Sequence, residues 1–154
     1  MRLALAAVIT VTLYGLLCPN SYASADENVR IAKRVFLEAM GQGHFDQVDA
    51  VYGPGFVAHG ASRTYTLQEN TASERTWRVA MPDLKVTVER TVAAKDLVAV
   101  HWKAVGTNSV AAAGMPGDGA RLGLEGMTFF RFAAGRISEE WSIVDVAALT
   151  TELR

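Results

Sequence analysis

Residues 127–145 read MTFFRFAAGRISEEWSIVD, two alternating runs of β-branched and aromatic residues flanking Ala133-Ala134-Gly135. That pattern predicts a β-hairpin with a glycine-bearing turn. Pairing Phe132 with Arg136 sets an expected register of Thr128 opposite Glu140, Gly126 opposite Ser142 and Phe130 opposite Ser138. Met127, Phe129, Ile137, Trp141 and Ile143 then share the other face. One face is bulky, and the other is small and polar with a single carboxylate, Glu140. A curved sheet carrying such a face leaves room for a small ligand.

Upstream of the hairpin the chain reads as helices followed by strands. Val29, Ala32, Val35, Phe36, Ala39 and Met40 recur at three- and four-residue spacing, predicting a helix that ends near Gly41-Gln42-Gly43. Phe45, Val48, Val51 and Tyr52 predict a short second helix stopped by Gly53-Pro54-Gly55. Residues 56–59 then form an extended segment that brings His59 to a loop edge. Thr66 with Glu69 fits a capping box, so a third helix is expected from there through Trp77 to about Ala80, ended by Pro82. Leu84, Val86 and Val88 alternate, Leu97 to Val105 forms another strand, and the loop Gly114 to Gly119 leads into the hairpin. Helices first and antiparallel strands after, with no βαβ alternation or repeat, predict an α+β domain whose sheet curls over the helices.

The 154-residue chain opens with Arg2, an apolar run from Leu3 to Leu17, and the small-residue sites Ser21-Tyr22-Ala23 and Ala23-Ser24-Ala25. This is the pattern of a cleavable signal peptide, too short for a membrane span. The expected division is residues 1–25 as signal and 26–154 as one domain, secreted or periplasmic, with cleavage after Ala25 preferred over Ala23. The only cysteine, Cys18, falls inside that signal. The mature domain must therefore be held by its core rather than by disulfides. Loss of Arg2 moves the formal net charge one unit beyond −1, and no basic patch suggests nucleic acid. Three histidines without paired spacing, and no cysteine in the expected mature chain, give no metal site. No glycine-rich phosphate loop or serine elbow is present, which argues against nucleotide binding and serine-hydrolase chemistry.

Several short motifs occur in a familiar order: PDL at Pro82 to Leu84, VAVHW at Val98 to Trp102, GTN at Gly106 to Asn108, FRFAAGRISEEW at Phe130 to Trp141, and Asp145 beyond. Together they resemble the SnoaL-like polyketide cyclase family of the nuclear-transport-factor-2-like superfamily, over essentially the whole mature chain. The resemblance implies a cone-shaped α+β fold, three N-terminal helices on a curved antiparallel sheet. It also implies ring closure by intramolecular aldol condensation without metal or organic cofactor, using an acidic residue of the cavity as acid/base. In the family pattern Asp commonly follows the hairpin tryptophan and His precedes it; here Ser142 and Glu140 hold those places. Family members also tend to carry His where this chain has Asn108. A serine is no carboxylate at neutral pH, so the acid/base role does not carry over to Ser142.

Glu140, two residues from Ser142 on the same strand face, is the expected replacement. Desolvation in an apolar cone would raise its pKa toward the range a general acid or base needs. His59 is the candidate to help place a substrate oxygen, together with Thr128. Trp77, Trp102 and Phe130 are the candidate apolar walls, and Ser142 a further ligand contact. Trp141, Glu139 and Arg131 read as packing, an ion pair or a subunit contact on the opposite face, and His101 and His44 as non-functional. The expected function is cofactor-free acid/base chemistry on a small apolar carbonyl compound: cyclisation, isomerisation or dehydration. The alternative is a non-catalytic ligand-binding module, or a homodimer engaging a partner through the bulky hairpin face.

Overall fold

The first helix begins where a serine can cap it. In the computed structural model, which describes residues 24–145, Ser24 accepts the Glu27 backbone N–H at 3.2 Å and α1 runs Ala25–Arg34. The expected signal segment up to Ala23 lies outside the described residues, as do residues 146–154. Asp26 and Glu27 in the first turn and Lys33 and Arg34 in the last complement the helix dipole.

The helix then widens into a π-helical segment, Val35–Met40, which buries Val35, Phe36, Ala39 and Met40. Arg78 closes its end by donating from Nη1 to the carbonyls of Met40, Gly41 and Leu84. A short α2, Phe45–Val48, and a 3-10 turn, Asp49–Val51, follow. Tyr52, expected in the second helix, is instead extended (φ −85°, ψ 143°) and opens β1, Tyr52–His59. The reason is tertiary: Tyr52 pairs in parallel with Ile137, and its ring meets Phe56 edge-on at 4.7 Å. The expected third helix is α3, Leu67–Ala80, and the Thr66–Glu69 capping box is fully formed.

The strands are β1, β2 (Thr64–Tyr65), β3 (Lys85–Ala94), β4 (Leu97–Thr107), β5 (Arg121–Ala133) and β6 (Arg136–Asp145). They make one sheet in the order β2-β1-β6-β5-β4-β3, antiparallel except for β1 against β6. The helices cover one face of this sheet, and the core between them includes Phe36, Val98, Val100, Phe130 and Ile137.

The hairpin register differs from the expected one by two residues. The turn has two residues, Ala134 and Gly135, both at positive φ (49° and 75°), and Ala133 pairs with Arg136. A ladder continued regularly from that turn would set Glu139 opposite Phe130 and turn Glu140 outward. A β-bulge prevents this: Phe132 pairs with Ile137, Arg131 pairs with Glu139, and the intervening Ser138 is left over, its hydroxyl donating to the Arg131 carbonyl at 3.2 Å. Beyond it, Phe130 faces Glu140 and Thr128 faces Ser142. Even-numbered residues of both strands past the bulge therefore share the inner face, as the alternation predicted, although their partners are shifted. Ile137, expected on the outer face, is fully buried in the core because it precedes the bulge.

Candidate active site

The inner face of the β4–β5–β6 region, roofed by α3 and the π-helical segment, encloses a cavity of about 120 Å³. Phe36, Met40, Trp77, Trp102, Leu124 and Val144 make its apolar walls, and Asn70, Glu74, Thr128, Glu140 and Ser142 bring the polar groups. Cavities of about 150 Å³ take up a benzene molecule, so this one suits a single small ring or part of a larger molecule entering at the mouth.

Each wall has a sequence cause. Trp102 stacks on Phe36 at 5.4 Å, and its indole lies over Gly126 across the β4–β5 pair. A Cβ at position 126 would come within 2.5 Å of Trp102 Cζ2, so glycine is required there. On α3, residues 70, 74 and 77 fall at i, i+4 and i+7, one stripe of the helix, and that stripe looks into the hollow.

The polar groups form a connected set. Trp102 Nε1–H donates to Thr128 Oγ1 at 3.1 Å, Thr128 Oγ1 lies 2.8 Å from Ser142 Oγ, and Ser142 Oγ donates to Glu140 Oε1 at 2.9 Å. Because the single Ser142 proton goes to the carboxylate, the Thr128 proton must go to Ser142. The chain therefore runs one way, from indole to carboxylate, each bond polarising the next. The second oxygen, Oε2, accepts from Asn70 Nδ2 at 3.3 Å, and the same amide nitrogen donates to Glu74 Oε1 at 3.2 Å.

Burial is the main influence on Glu140 and pushes its carboxyl up to about 7, against the opposing hydrogen bonds from Ser142 and Asn70. Glu74 is held well above the usual carboxylate range, by burial first and then by the charges of Glu140 and Asp49. The buried Tyr52 phenol is also pushed up, by burial and then by Glu74, Glu140 and Asp49. No lysine, arginine or histidine of the described residues lines the cavity. Among the described residues, no cluster of three or more His, Cys, Asp or Glu is placed to hold a metal ion.

Five of the residues singled out from sequence meet here: Glu140, Thr128, Ser142, Trp77 and Trp102. Two do not. His59 pairs alongside Trp141 in the parallel β1–β6 ladder and lies on the outer face, because Ala58 points inward beside Glu140 and strand alternation turns the next residue out. Its ring stacks on Trp141 at 4.5 Å, and Nε2 sits 2.8 Å from Glu139 Oε2. Phe130 is on the inner face, but it is fully buried against Phe36, does not line the cavity and belongs to the core.

The outer face also carries the ion pair of Arg131 Nε with Glu139 Oε1 at 3.1 Å, and the exposed side chains of Met127, Phe129 and Ile143. Asn108 is away from the cavity and fastens the loop after β4, donating to the carbonyls of Ala80 and Val110 and accepting from Gly117 N–H. Sequence reasoning missed Asn70 and Glu74. Their signal was available in the i, i+4, i+7 spacing with Trp77, on a helix whose extent had been read from its cap and its proline.

A curved six-stranded sheet roofed by helices around one acidic hollow defines a nuclear-transport-factor-2-like α+β protein. The profile of the SnoaL-like polyketide cyclases matches residues 30–153, and the chain belongs to that family. Solved structures agree on the fold. AclR, a proposed hydroxylase from Streptomyces galilaeus, superposes with a TM-score of 0.76 at 19% identity, covering 84% of this chain and 97% of its own. A proposed SnoaL-like polyketide cyclase from Jannaschia sp. CCS1 gives 0.73 at 22% identity, with 84% and 92% covered. IdmH, a proposed polyketide cyclase from Streptomyces antibioticus, gives 0.71 at 24% identity, with 82% and 97% covered. The comparison with curated proteins returns no match.

Proposed function

We propose that this protein binds a small, largely apolar carbonyl compound and performs cofactor-free acid/base chemistry on it, with Glu140 as the base. The observation that carries the reading is the Glu140 carboxyl in an apolar hollow that no cation of the described residues lines, held by donors from Ser142 and Asn70. Removing a proton next to a carbonyl is the step shared by cyclisation, isomerisation and dehydration, and a base titrating near 7 is matched to it. Trp77 and Trp102 exclude water and pack a flat ring, while Thr128 and Ser142 orient the carboxylate. Family membership supports a cyclase-like role for the cavity.

The test is deuterium incorporation next to the carbonyl of cyclohexanone in D2O, followed by NMR. The wild-type protein should accelerate exchange over buffer, and Glu140→Gln should abolish the acceleration. Equal exchange by both proteins would remove Glu140 from the chemistry. No acceleration by either would leave a binding module.

We also propose that the chain is exported. Cleavage after Ala23 rather than Ala25 fits the fold better, because it retains Ser24, the cap of α1. N-terminal sequencing of the exported protein should begin at Ser24; a start at Asp26 would contradict this.

A further inference from the structure

Two acids share one cavity, and only one of them belongs to the reading above. Glu74 and Glu140 accept from the two hydrogens of a single amide nitrogen, Asn70 Nδ2, so their carboxyls lie within one amide's reach of each other. Among the described residues no cation balances them. Arg75, the neighbour of Glu74 along α3, is turned to Asp46 and lies over the Phe45 ring. The other titratable groups near the pair are Tyr52 from β1 and Asp49 from the 3-10 turn, neither of which brings positive charge. The π-helical segment, β4 and β5 present only Phe36, Met40, Trp102, Leu124 and Thr128 to the hollow.

Two carboxylates this close in an apolar space cannot both be ionised, so the pair keeps one proton. Its place follows from the count of donors. Glu140 receives two hydrogen bonds, from Ser142 and Asn70, and Glu74 receives one. The better-solvated anion is Glu140.

We infer that Glu74 is a second catalytic residue of this cavity, the proton donor opposite Glu140, and that the ligand is a single-ring enolisable ketone presenting its carbonyl oxygen to Glu74 and an adjacent C–H to Glu140. This deepens the proposed function and rests on it. The step balances within the pair. The Glu140 carboxylate takes the C–H proton, the released electron pair forms the enol double bond, and the carbonyl oxygen takes the Glu74 proton. Glu140 ends neutral and Glu74 ionised, and the pair holds one negative charge before and after. Asn70 donates to both acids, so it serves whichever of them carries the charge. Return of the proton at the same carbon or at a conjugated one resets the site.

The experiment is a 13C NMR titration of the full chain labelled at the glutamate carboxyls, with Glu74→Gln and Glu140→Gln to assign the signals. One glutamate should remain protonated at pH 8, above the Glu140 midpoint, its signal should be absent from Glu74→Gln, and its midpoint should fall in Glu140→Gln. A signal that vanishes instead in Glu140→Gln, or glutamates all ionised at pH 8, would overturn the assignment. Should the variants fail to fold, the carboxylic-acid C=O infrared band of the wild-type protein at pH 8 decides between a retained proton and two carboxylates.

In the cyclohexanone assay Glu74→Gln should lower exchange about 100-fold. Exchange that survives this change while depending on Glu140 would sink the donor role alone. An intact proton pair without exchange would sink the proposed reaction and not the pair.

Discussion

Ser142 stands where the family pattern commonly places an aspartate, and its hydroxyl is bonded to the acid two residues back along the strand. The acid this chain presents stands one strand repeat from Ser142, on the same face, and the serine supports it. Removing that support should be visible in titration. Ser142→Ala takes away a hydrogen bond to the charged form, worth roughly 1.5–3 kcal/mol, so Glu140 should titrate about one pH unit or more higher. A base must be ionised to work, so the acidic limb of the exchange profile should move to higher pH by the same amount. An unchanged limb would mean that Ser142 does not hold the carboxylate. At this scale the sequence was partly legible: Glu140, Thr128, Ser142 and Trp102 could be found because strand parity is a property of the chain alone, and Trp77 because it is the large aromatic of a helix whose cap was readable. His59 was misplaced because the phase of β1 is set by its neighbours in the sheet, Ala58 packing inward beside Glu140.

Whether Ser138 is bulged out or paired decides which of two adjacent glutamates enters the cavity. The turn type was not readable from Ala133-Ala134-Gly135, since a two-residue turn needs Ala134 at φ 49°, a conformation alanine adopts reluctantly. A three-residue loop without a bulge and a two-residue turn with one bulge give the same parity, which is why the inner face was read correctly from an incorrect register. The bulge also explains Ile137, which lies on the turn side of it and so packs into the core. Deleting Ser138 would leave Phe132 opposite Ile137, Arg131 opposite Glu139 and Phe130 opposite Glu140 in a regular ladder. That variant should keep exchange activity within a few-fold of wild type. Glu139→Gln, on the outer face with His59 and Arg131, should also leave it unchanged. Loss of activity in either folded variant would show that the faces are assigned wrongly. The third helix shows the converse case. Its extent followed from Thr66, Glu69 and Pro82, but the polar character of its buried stripe emerges only once the sheet beneath is known.

Across the whole molecule, a hollow with two acids and no cation costs stability whenever both acids are forced to ionise. Helices on one face of a bent sheet were legible from element order, yet the size of the gap between them was not, because it depends on how Phe36, Met40 and Trp77 seat over β4, β5 and β6. The consequence for pH follows from the direction of the shift. Glu140 holds its proton up to about 7 in the folded chain, against an ordinary value of 4.5. Between those values the native state binds the proton and the unfolded chain does not, so stability is full below the lower value and falls as pH rises through the upper. The loss for Glu140 is on the order of 3 kcal/mol.

Thermal unfolding of the wild-type protein and Glu140→Gln between pH 5 and pH 8 tests the inward-facing acid most directly. The two should melt alike at pH 5, where Glu140 is protonated and glutamine imitates it. The variant should melt several degrees higher at pH 8, the difference building as pH rises from 5 to about 7 and levelling beyond it. A constant difference across the range, or a wild-type protein that gains stability relative to the variant as pH rises, would place this carboxylate in water and contradict the account.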